Sequence, residues 1–129
     1  ATTGLCLDAN GGRVGVQPYM RECTPWADRR RRIAANENLN WWFKDNGANP
    51  LSSNVGTCLT GNHLYETPWM QLSCATDPMS QWEVVYVPGD WFMVKLQYNG
   101  LCLDANTGQI GRAPYMRQCD PNNVNLLWR

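Results

Sequence analysis

The sequence predicts an all-β fold, a β-trefoil in which three repeats close around one axis. Three observations support this: a cysteine-containing motif occurs three times, short apolar segments alternate with turn residues, and no segment sustains a 3.6-residue apolar period. A unit of this size cannot bury its own apolar face, so three units must close around an axis to share a core. The chain has 129 residues, and we expect a single domain, 1–129.

The repeats are visible as direct matches. Residues 4–10 return unchanged as 100–106, and 18–23 return as 114–119 with one substitution. A looser middle copy spans 56–59 and 68–74. Each copy closes with a tryptophan: Trp41, Trp82 and Trp128. We therefore divide the chain into repeats of about 1–48, 49–91 and 92–129, with an insertion at about 25–36 in the first.

Strand signals agree with this division. Segments 5–7, 41–44, 82–87 and 92–96 are predicted strands, separated by Asn-Gly, Gly-Gly, Asp-Pro and Pro-Gly pairs. A sandwich of two sheets would not explain threefold repetition, and three blades fall below the usual number in a propeller.

Six cysteines without a CxxC pair indicate a disulfide framework rather than a zinc site. Many pairings are open to six cysteines, but spacings of 17, 16 and 17 positions favour one bridge within each repeat. The predicted bridges are Cys6–Cys23, Cys58–Cys74 and Cys102–Cys119. Oxidised cysteines predict a secreted, extracellular protein, and because no apolar leader precedes Gly4 we expect any signal peptide to have been removed.

Charge and composition restrict the partners. Eleven acidic residues balance eleven basic ones, so we expect no nucleic-acid ligand. No apolar stretch approaches the roughly 20 residues of a transmembrane helix. The single histidine, His63, gives no reason to expect a metal, and no cofactor is expected.

The repeated C-L-D motif, a second cysteine after an apolar strand and a closing tryptophan resemble the ricin-type lectin repeat, over nearly the whole chain. That family usually closes with Q-x-W, whereas Leu39, Ser80 and Leu126 stand at the Gln position here. The resemblance implies a carbohydrate-binding protein, with glycans of the galactose or N-acetylgalactosamine type as partners. It also implies that Trp41, Trp82 and Trp128 are buried, whereas Trp26, Trp69 and Trp91 are less constrained.

The resemblance implies two sugar sites, in the first and third repeats. Their predicted residues are Asp8, Tyr19, Arg21 and Asn38, and Asp104, Tyr115, Arg117 and Asn125. A carboxylate accepts paired sugar hydroxyls well, and the middle copy has Thr60 instead, so we expect that copy to bind weakly or not at all.

Two alternatives concern the roles of these residues. Each Asp can instead accept a backbone bond in an Asx turn. The family has a stacking aromatic two residues before the second cysteine, where this chain has Arg21, Leu72 and Arg117. Alternation places Tyr19 and Tyr115 on the face of the arginines, with Met20 and Met116 in the core. The arginines can engage a sugar, a sialic or uronic carboxylate, or the neighbouring Asp as an ion pair.

We expect no catalysis, because no nucleophile and base, carboxylate pair or metal cluster stands out. An alternative function is a protein-interaction trefoil, either a protease inhibitor or the targeting subunit of a toxin or hydrolase. Its contact surface would be loop 26–33, which carries four consecutive arginines, Arg29 to Arg32.

Overall fold

The computed structural model describes residues 4–23, 26–28, 33–34, 36–39, 41–43, 48–49, 51–53, 57–61, 67–72 and 76–129. Within them it has thirteen β-strands and five 3-10 helices of three residues each. The strands are β1 (Leu5–Asp8), β2 (Tyr19–Glu22), β3 (Trp26–Asp28), β4 (Ile33–Ala34), β5 (Trp41–Phe43), β6 (Ala48–Asn49), β7 (Leu51–Ser53), β8 (Cys58–Thr60), β9 (Trp69–Gln71), β10 (Trp82–Val87), β11 (Trp91–Leu96), β12 (Leu101–Asp104) and β13 (Tyr115–Gln118). The 3-10 helices are Asn10–Gly12, Glu37–Leu39, Pro78–Ser80, Asn106–Gly108 and Val124–Leu126.

The strands pair antiparallel. β1 pairs with β2, a four-stranded sheet has the order β5-β7-β8-β9, and a five-stranded sheet has the order β13-β12-β11-β10-β6. The predicted strand 82–87 matches β10 in full, and predictions 5–7 and 92–96 are each one residue shorter than β1 and β11. Predicted strand 41–44 corresponds to β5, and its last residue lies outside the described part of the chain.

The core is built from the same pair in every repeat. The leucine after the first cysteine lies opposite a methionine on the next strand, and side chains at opposed positions share one face of a sheet. All six are buried: Leu7 with Met20, Leu59 with Met70, and Leu103 with Met116. The prediction that Met20 and Met116 point into the core is confirmed.

The closing tryptophans connect each repeat to this core. Trp82 and Trp128 are buried, and Trp41 is partly buried against the same cluster. Each indole Nε1 donates to the carbonyl of the core leucine of its own repeat: Trp41 to Leu7 at 2.8 Å, Trp82 to Leu59 at 2.9 Å and Trp128 to Leu103 at 3.0 Å. A buried indole N–H needs an acceptor, and this bond supplies one. The predicted core role of these tryptophans is confirmed.

Backbone bonds join successive repeats. Gly15 N donates to Met70 O and Met70 N to Val16 O, both at 2.8 Å, which joins the first repeat to the second. The third repeat reaches the first in the same way, because Gly111 N donates to Met20 O at 2.7 Å and Met20 N to Arg112 O at 2.8 Å. The last repeat therefore contacts the first directly.

Two of the predicted disulfides, Cys6–Cys23 and Cys102–Cys119, are present with Cα atoms 5.1 Å apart in each. Cys58 is also disulfide-bonded, and its predicted partner Cys74 lies outside the described residues. Each confirmed bridge closes a hairpin. Because it restricts the unfolded chain, it adds roughly 3 kcal/mol to the free energy of unfolding. In the part of the chain that is described, no helix has the length and apolar character needed to cross a membrane.

Candidate functional site

Two aspartates end equivalent strands in the first and third repeats. Asp8 closes β1 and Asp104 closes β12, and both are fully buried. In each, Oδ1 accepts a hydrogen bond from the backbone N–H two residues on, from Asn10 at 2.7 Å and Asn106 at 2.6 Å. These are the Asx turns that the sequence left open as an alternative.

The asparagines that follow hold the turns, and sequence reasoning assigned them no role. Asn10 and Asn106 have φ of 52° and 51°, in the left-handed region that asparagine tolerates best after glycine. Their side-chain amides donate to Gln17 O and Ala113 O, each at 2.9 Å, and so join the start of each loop to its end, just before the next strand. The signal was present in the sequence as the repeated segment L-D-A-N.

An arginine covers each aspartate. Arg21 Nη1 lies 3.3 Å from Asp8 Oδ2, and Arg117 Nε lies 3.1 Å from Asp104 Oδ2. The arginine side chains are 45% and 50% exposed, whereas the carboxylates beneath them are 0% and 1% exposed. The ion pair that the sequence left as an alternative is therefore formed in both repeats, and the carboxylates are screened from solvent.

The two ion pairs differ in detail. Arg21 donates a hydrogen bond to Asp8, and this bond, with Tyr19 adding to the effect, raises the pKa of the guanidinium above its ordinary value. Arg117 instead lies over the Tyr115 ring, 5.0 Å from its centroid. Its Nε–H is not directed at Asp104 Oδ2, which is buried without a hydrogen bond. A buried carboxylate oxygen without a hydrogen-bond donor is costly, and here its only partner among the described residues is the Arg117 guanidinium, 3.1 Å away.

The tyrosines lie where alternation predicts. Tyr19 is opposite Asp8 and Tyr115 opposite Asp104, each half-buried and two positions from its exposed arginine. The prediction that each tyrosine lies on the same face of its strand as the arginine is thus confirmed.

Asn38 and Asn125 lie on 3-10 helices that pack against β1 and β12. Their backbone carbonyls accept from Ala9 N and Ala105 N, both at 2.9 Å. Neither side-chain amide has a hydrogen-bond partner among the described residues. The structure thus brings the predicted Asp, Tyr and Arg together in each outer repeat. Asn38 and Asn125 are joined to the residue after each Asp through their backbone carbonyls.

The middle repeat uses the same position differently. Thr60 is buried, and its hydroxyl lies 2.7 Å from Ser80 Oγ, which in turn donates to Asp77 Oδ2 at 3.2 Å. The strand register places Trp69 opposite Thr60 and Gln71 opposite Cys58.

One sequence-based position in the middle repeat was wrong. Counting back two residues from Cys74 put Leu72 at the position of the arginines, whereas the register puts Gln71 there. The middle copy has one more residue than the others between its proline, Pro68, and its second cysteine, so the count slips.

Two of the tryptophans that the sequence left less constrained, Trp69 and Trp91, are at least partly exposed. Trp69 is 37% exposed, and the Trp91 ring lies under Arg129, 4.5 Å from the guanidinium carbon. The insertion contains the hairpin β3–β4, while Arg29 to Arg32 and His63 lie outside the described residues. Among the residues that are described, no three His, Cys, Asp or Glu side chains are grouped to hold a metal ion.

No protein-family model and no curated protein matches the sequence. Solved structures do match. A designed threefold-symmetric protein, ThreeFoil, has a TM-score of 0.79 at 16% identity, over 99% of this chain and 91% of that one. The cytolethal distending toxin from Actinobacillus actinomycetemcomitans has a TM-score of 0.72 at 11% identity, over 98% and 82%.

A third similar structure is 1,3Gal43A, an exo-β-1,3-galactanase from Clostridium thermocellum, with a TM-score of 0.73 at 14% identity. The match covers 99% of this chain and 28% of the galactanase. At such identities the likeness concerns the fold alone. With the threefold internal pattern described above, it confirms that the chain is an all-β protein with the β-trefoil fold.

Proposed function

We propose that the chain is a secreted, non-catalytic carbohydrate-binding domain of the ricin type, with sites for galactose- or N-acetylgalactosamine-type glycans in its first and third repeats. The observation that carries the proposal is duplication of one polar cluster on equivalent repeats. In both copies an Asp, a Tyr and an Arg adjoin across one hairpin, and the Asn helix packs beside them.

The chemistry of each cluster suits a sugar. The tyrosine offers a flat apolar surface, and the arginine offers guanidinium N–H groups to ring or hydroxyl oxygens. The asparagine amide has donor and acceptor groups that meet no partner within the described part of the chain. Asp104 Oδ2 still lacks a donor, so a sugar hydroxyl binds there once Arg117 moves aside. The Arg117 side chain is half exposed and so has room to move, and the sugar hydroxyl then replaces it as the partner of Asp104.

A second candidate within the same class follows from the arginine cover. If the guanidinium stays in place over the tyrosine, the surface offered to a ligand is cationic, and it fits the carboxylate of a sialic or uronic acid. Salt separates the two modes, because binding of a neutral sugar changes little with ionic strength whereas an exposed ion pair is screened.

We also propose that no reaction is catalysed. The two aspartates lie in different sheets, each with its own arginine, and this arrangement does not bring them together as an acid and base. Formed disulfides support secretion, since such bridges persist in oxidising compartments.

The test is calorimetry with methyl β-galactoside, N-acetylgalactosamine, N-acetylneuraminic acid and galacturonic acid at low and high salt. Asp8→Asn and Asp104→Asn keep an acceptor for the Asx turn but remove the charge. We expect each single variant to lose one of two sites and the double variant to bind roughly 10- to 100-fold more weakly. Thr60→Val, at the same position of the middle repeat, is the matched control and should leave both sites intact.

Undiminished binding by the double variant contradicts the proposal. Deletion of residues 26–33 distinguishes the interaction-protein alternative, which predicts that the deletion abolishes partner binding while the Asp variants have no effect.

A further inference from the structure

A cleft of about 450 Å³ lies at the boundary between the first and third repeats. The cleft is shallow and largely open to solvent, and its volume falls within the range of about 300–1,000 Å³ that is usual for ligand sites. Its lining includes Asn10, Gln17, Pro18 and Tyr19 of the first repeat and Gly111 and Ala113 of the third. The described lining contains no charged side chain, so the cleft fits a neutral, hydroxyl-bearing ligand.

One residue differs between equivalent positions at this boundary and at the boundary of the first and second repeats. Gln17, Thr67 and Ala113 each precede a buried proline in their own repeats. Where the first repeat meets the second, Gln17 Nε2 donates to Thr67 Oγ1 at 2.6 Å. Where the third meets the first, Ala113 has only a methyl group and cannot form this bond.

The walls of the cleft are held by backbone bonds. Gly111 N donates to Met20 O and Met20 N donates to Arg112 O, which fixes the third-repeat loop against β2. Gly111 has φ of 82°, in the region that favours glycine, and no atom lies within 4 Å of where its Cβ would be. The glycine backbone is therefore exposed on this wall and accessible to a ligand.

The cleft is continuous with the first candidate site. The backbone N–H of Asn10 donates to Asp8, and its side-chain amide donates to Gln17 O. Asn10 therefore lies between the candidate site and the cleft. Tyr19, opposite Asp8, lines the cleft as well. A sugar held at Asp8 and Tyr19 would therefore have its next linked unit beside Asn10 and Ala113.

We infer that the first-repeat site continues into this cleft as a second subsite for a neutral sugar unit, so that the first repeat binds a disaccharide or longer glycan across two repeats. This inference rests on the function proposed above. The third repeat contributes the far wall of a site whose primary residues belong to the first.

The experiment compares methyl β-galactoside with β-1,3-, β-1,4- and β-1,6-linked galactobiose by calorimetry. Asp104→Asn serves as the background, so that the first repeat is the site observed. With the cleft open, we expect at least one disaccharide to bind about tenfold more tightly than the monosaccharide, as one or two net hydrogen bonds would provide. Ala113→Trp fills the cleft and should abolish this gain while changing monosaccharide affinity less than twofold.

Ile110→Trp is the matched control, since Ile110 is exposed on the same loop and does not line the cleft. It should keep the tenfold gain. If Ala113→Trp does not fold, Ala113→Gln, which places at this boundary the side chain found at residue 17, should reduce the gain instead.

Equal affinity for monosaccharide and disaccharides, or a gain that survives filling the cleft, overturns the inference and leaves the proposed function intact. Absence of any monosaccharide binding in the unmodified chain overturns both.

Discussion

The outer repeats and the middle repeat have the same frame but different polar groups. All three share the leucine–methionine pair and the tryptophan bond to the leucine carbonyl. At the next position the outer repeats bury a carboxylate under an arginine, whereas the middle repeat buries Thr60 against Ser80. The difference teaches that the frame forms without the charged cluster, because the middle repeat has the frame and not the cluster.

The largest expected effect comes from placing the outer cluster in the middle repeat. Thr60→Asp buries a carboxylate without a cation and should destabilise the chain by about 3–5 kcal/mol. Adding Gln71→Arg supplies a cation for this carboxylate, at the strand position that Arg21 has in the first repeat. The interaction between the two new side chains should restore about 1.5 kcal/mol or more of the lost stability. Urea denaturation of the four proteins in the cycle measures this.

Gln71→Arg alone is the control for that cycle. It should lower the free energy of unfolding by about 1 kcal/mol or less, because the hydrogen bond that Trp69 donates to Gln71 is lost. A double variant no more stable than Thr60→Asp would show that the middle frame cannot accept the cluster.

The next effect tests whether the frame is shared. We consider replacement of each closing tryptophan by phenylalanine: Trp82→Phe, Trp41→Phe and Trp128→Phe. Each variant leaves a leucine carbonyl without its indole donor, which should lower the free energy of unfolding by about 1–3 kcal/mol. The smaller ring adds to this loss of stability. We expect the greatest loss for Trp82, which is fully buried, and unchanged sugar binding in that variant. Chemical denaturation and calorimetry provide the two measurements. A negligible loss at one repeat would break the threefold equivalence.

A third effect distinguishes the repeats at one backbone position. The residue after each outer aspartate is an alanine, Ala9 or Ala105, whereas the residue after Thr60 is Gly61. A methyl group on Gly61 would overlap the buried Leu96 side chain. Gly61→Ala should therefore destabilise the folded protein by about 1–3 kcal/mol, because the core is overpacked. Adding Leu96→Val should recover part of the loss in a denaturation series. Full stability of Gly61→Ala would mean that Leu96 repacks freely.

The smallest effect concerns the hydroxyl in the middle repeat. Thr60→Val removes its bond to Ser80, which keeps its bond to Asp77, so stability should fall by about 1 kcal/mol or less. Denaturation measures the change, and the calorimetric stoichiometry should stay at two sites. A stoichiometry that fell would identify the middle repeat as a binding site.

The fold followed from the sequence because the repeated residues are the ones that build it. Cysteines, core leucines and closing tryptophans recur at fixed spacing, and spacing survives in a sequence. The orientation of side chains does not. Whether Arg21 points to solvent or folds over Asp8 depends on rotamers and on the pairing of two strands, so both outcomes were open. The extra residue before Cys74 means that counting forward from Pro68 gives Gln71, whereas counting back from Cys74 gives Leu72, and the strand pairing decides for Gln71.

The bonds between Met20 and residues 111 and 112 have a consequence for biosynthesis. A ribosome releases the first repeat long before the loop that completes it, so β2 emerges with its Met20 peptide groups unpaired. Until that loop arrives, the strand presents an open edge on which a second chain can pair. We therefore expect truncated chains that end before residue 111 to aggregate more than the full chain.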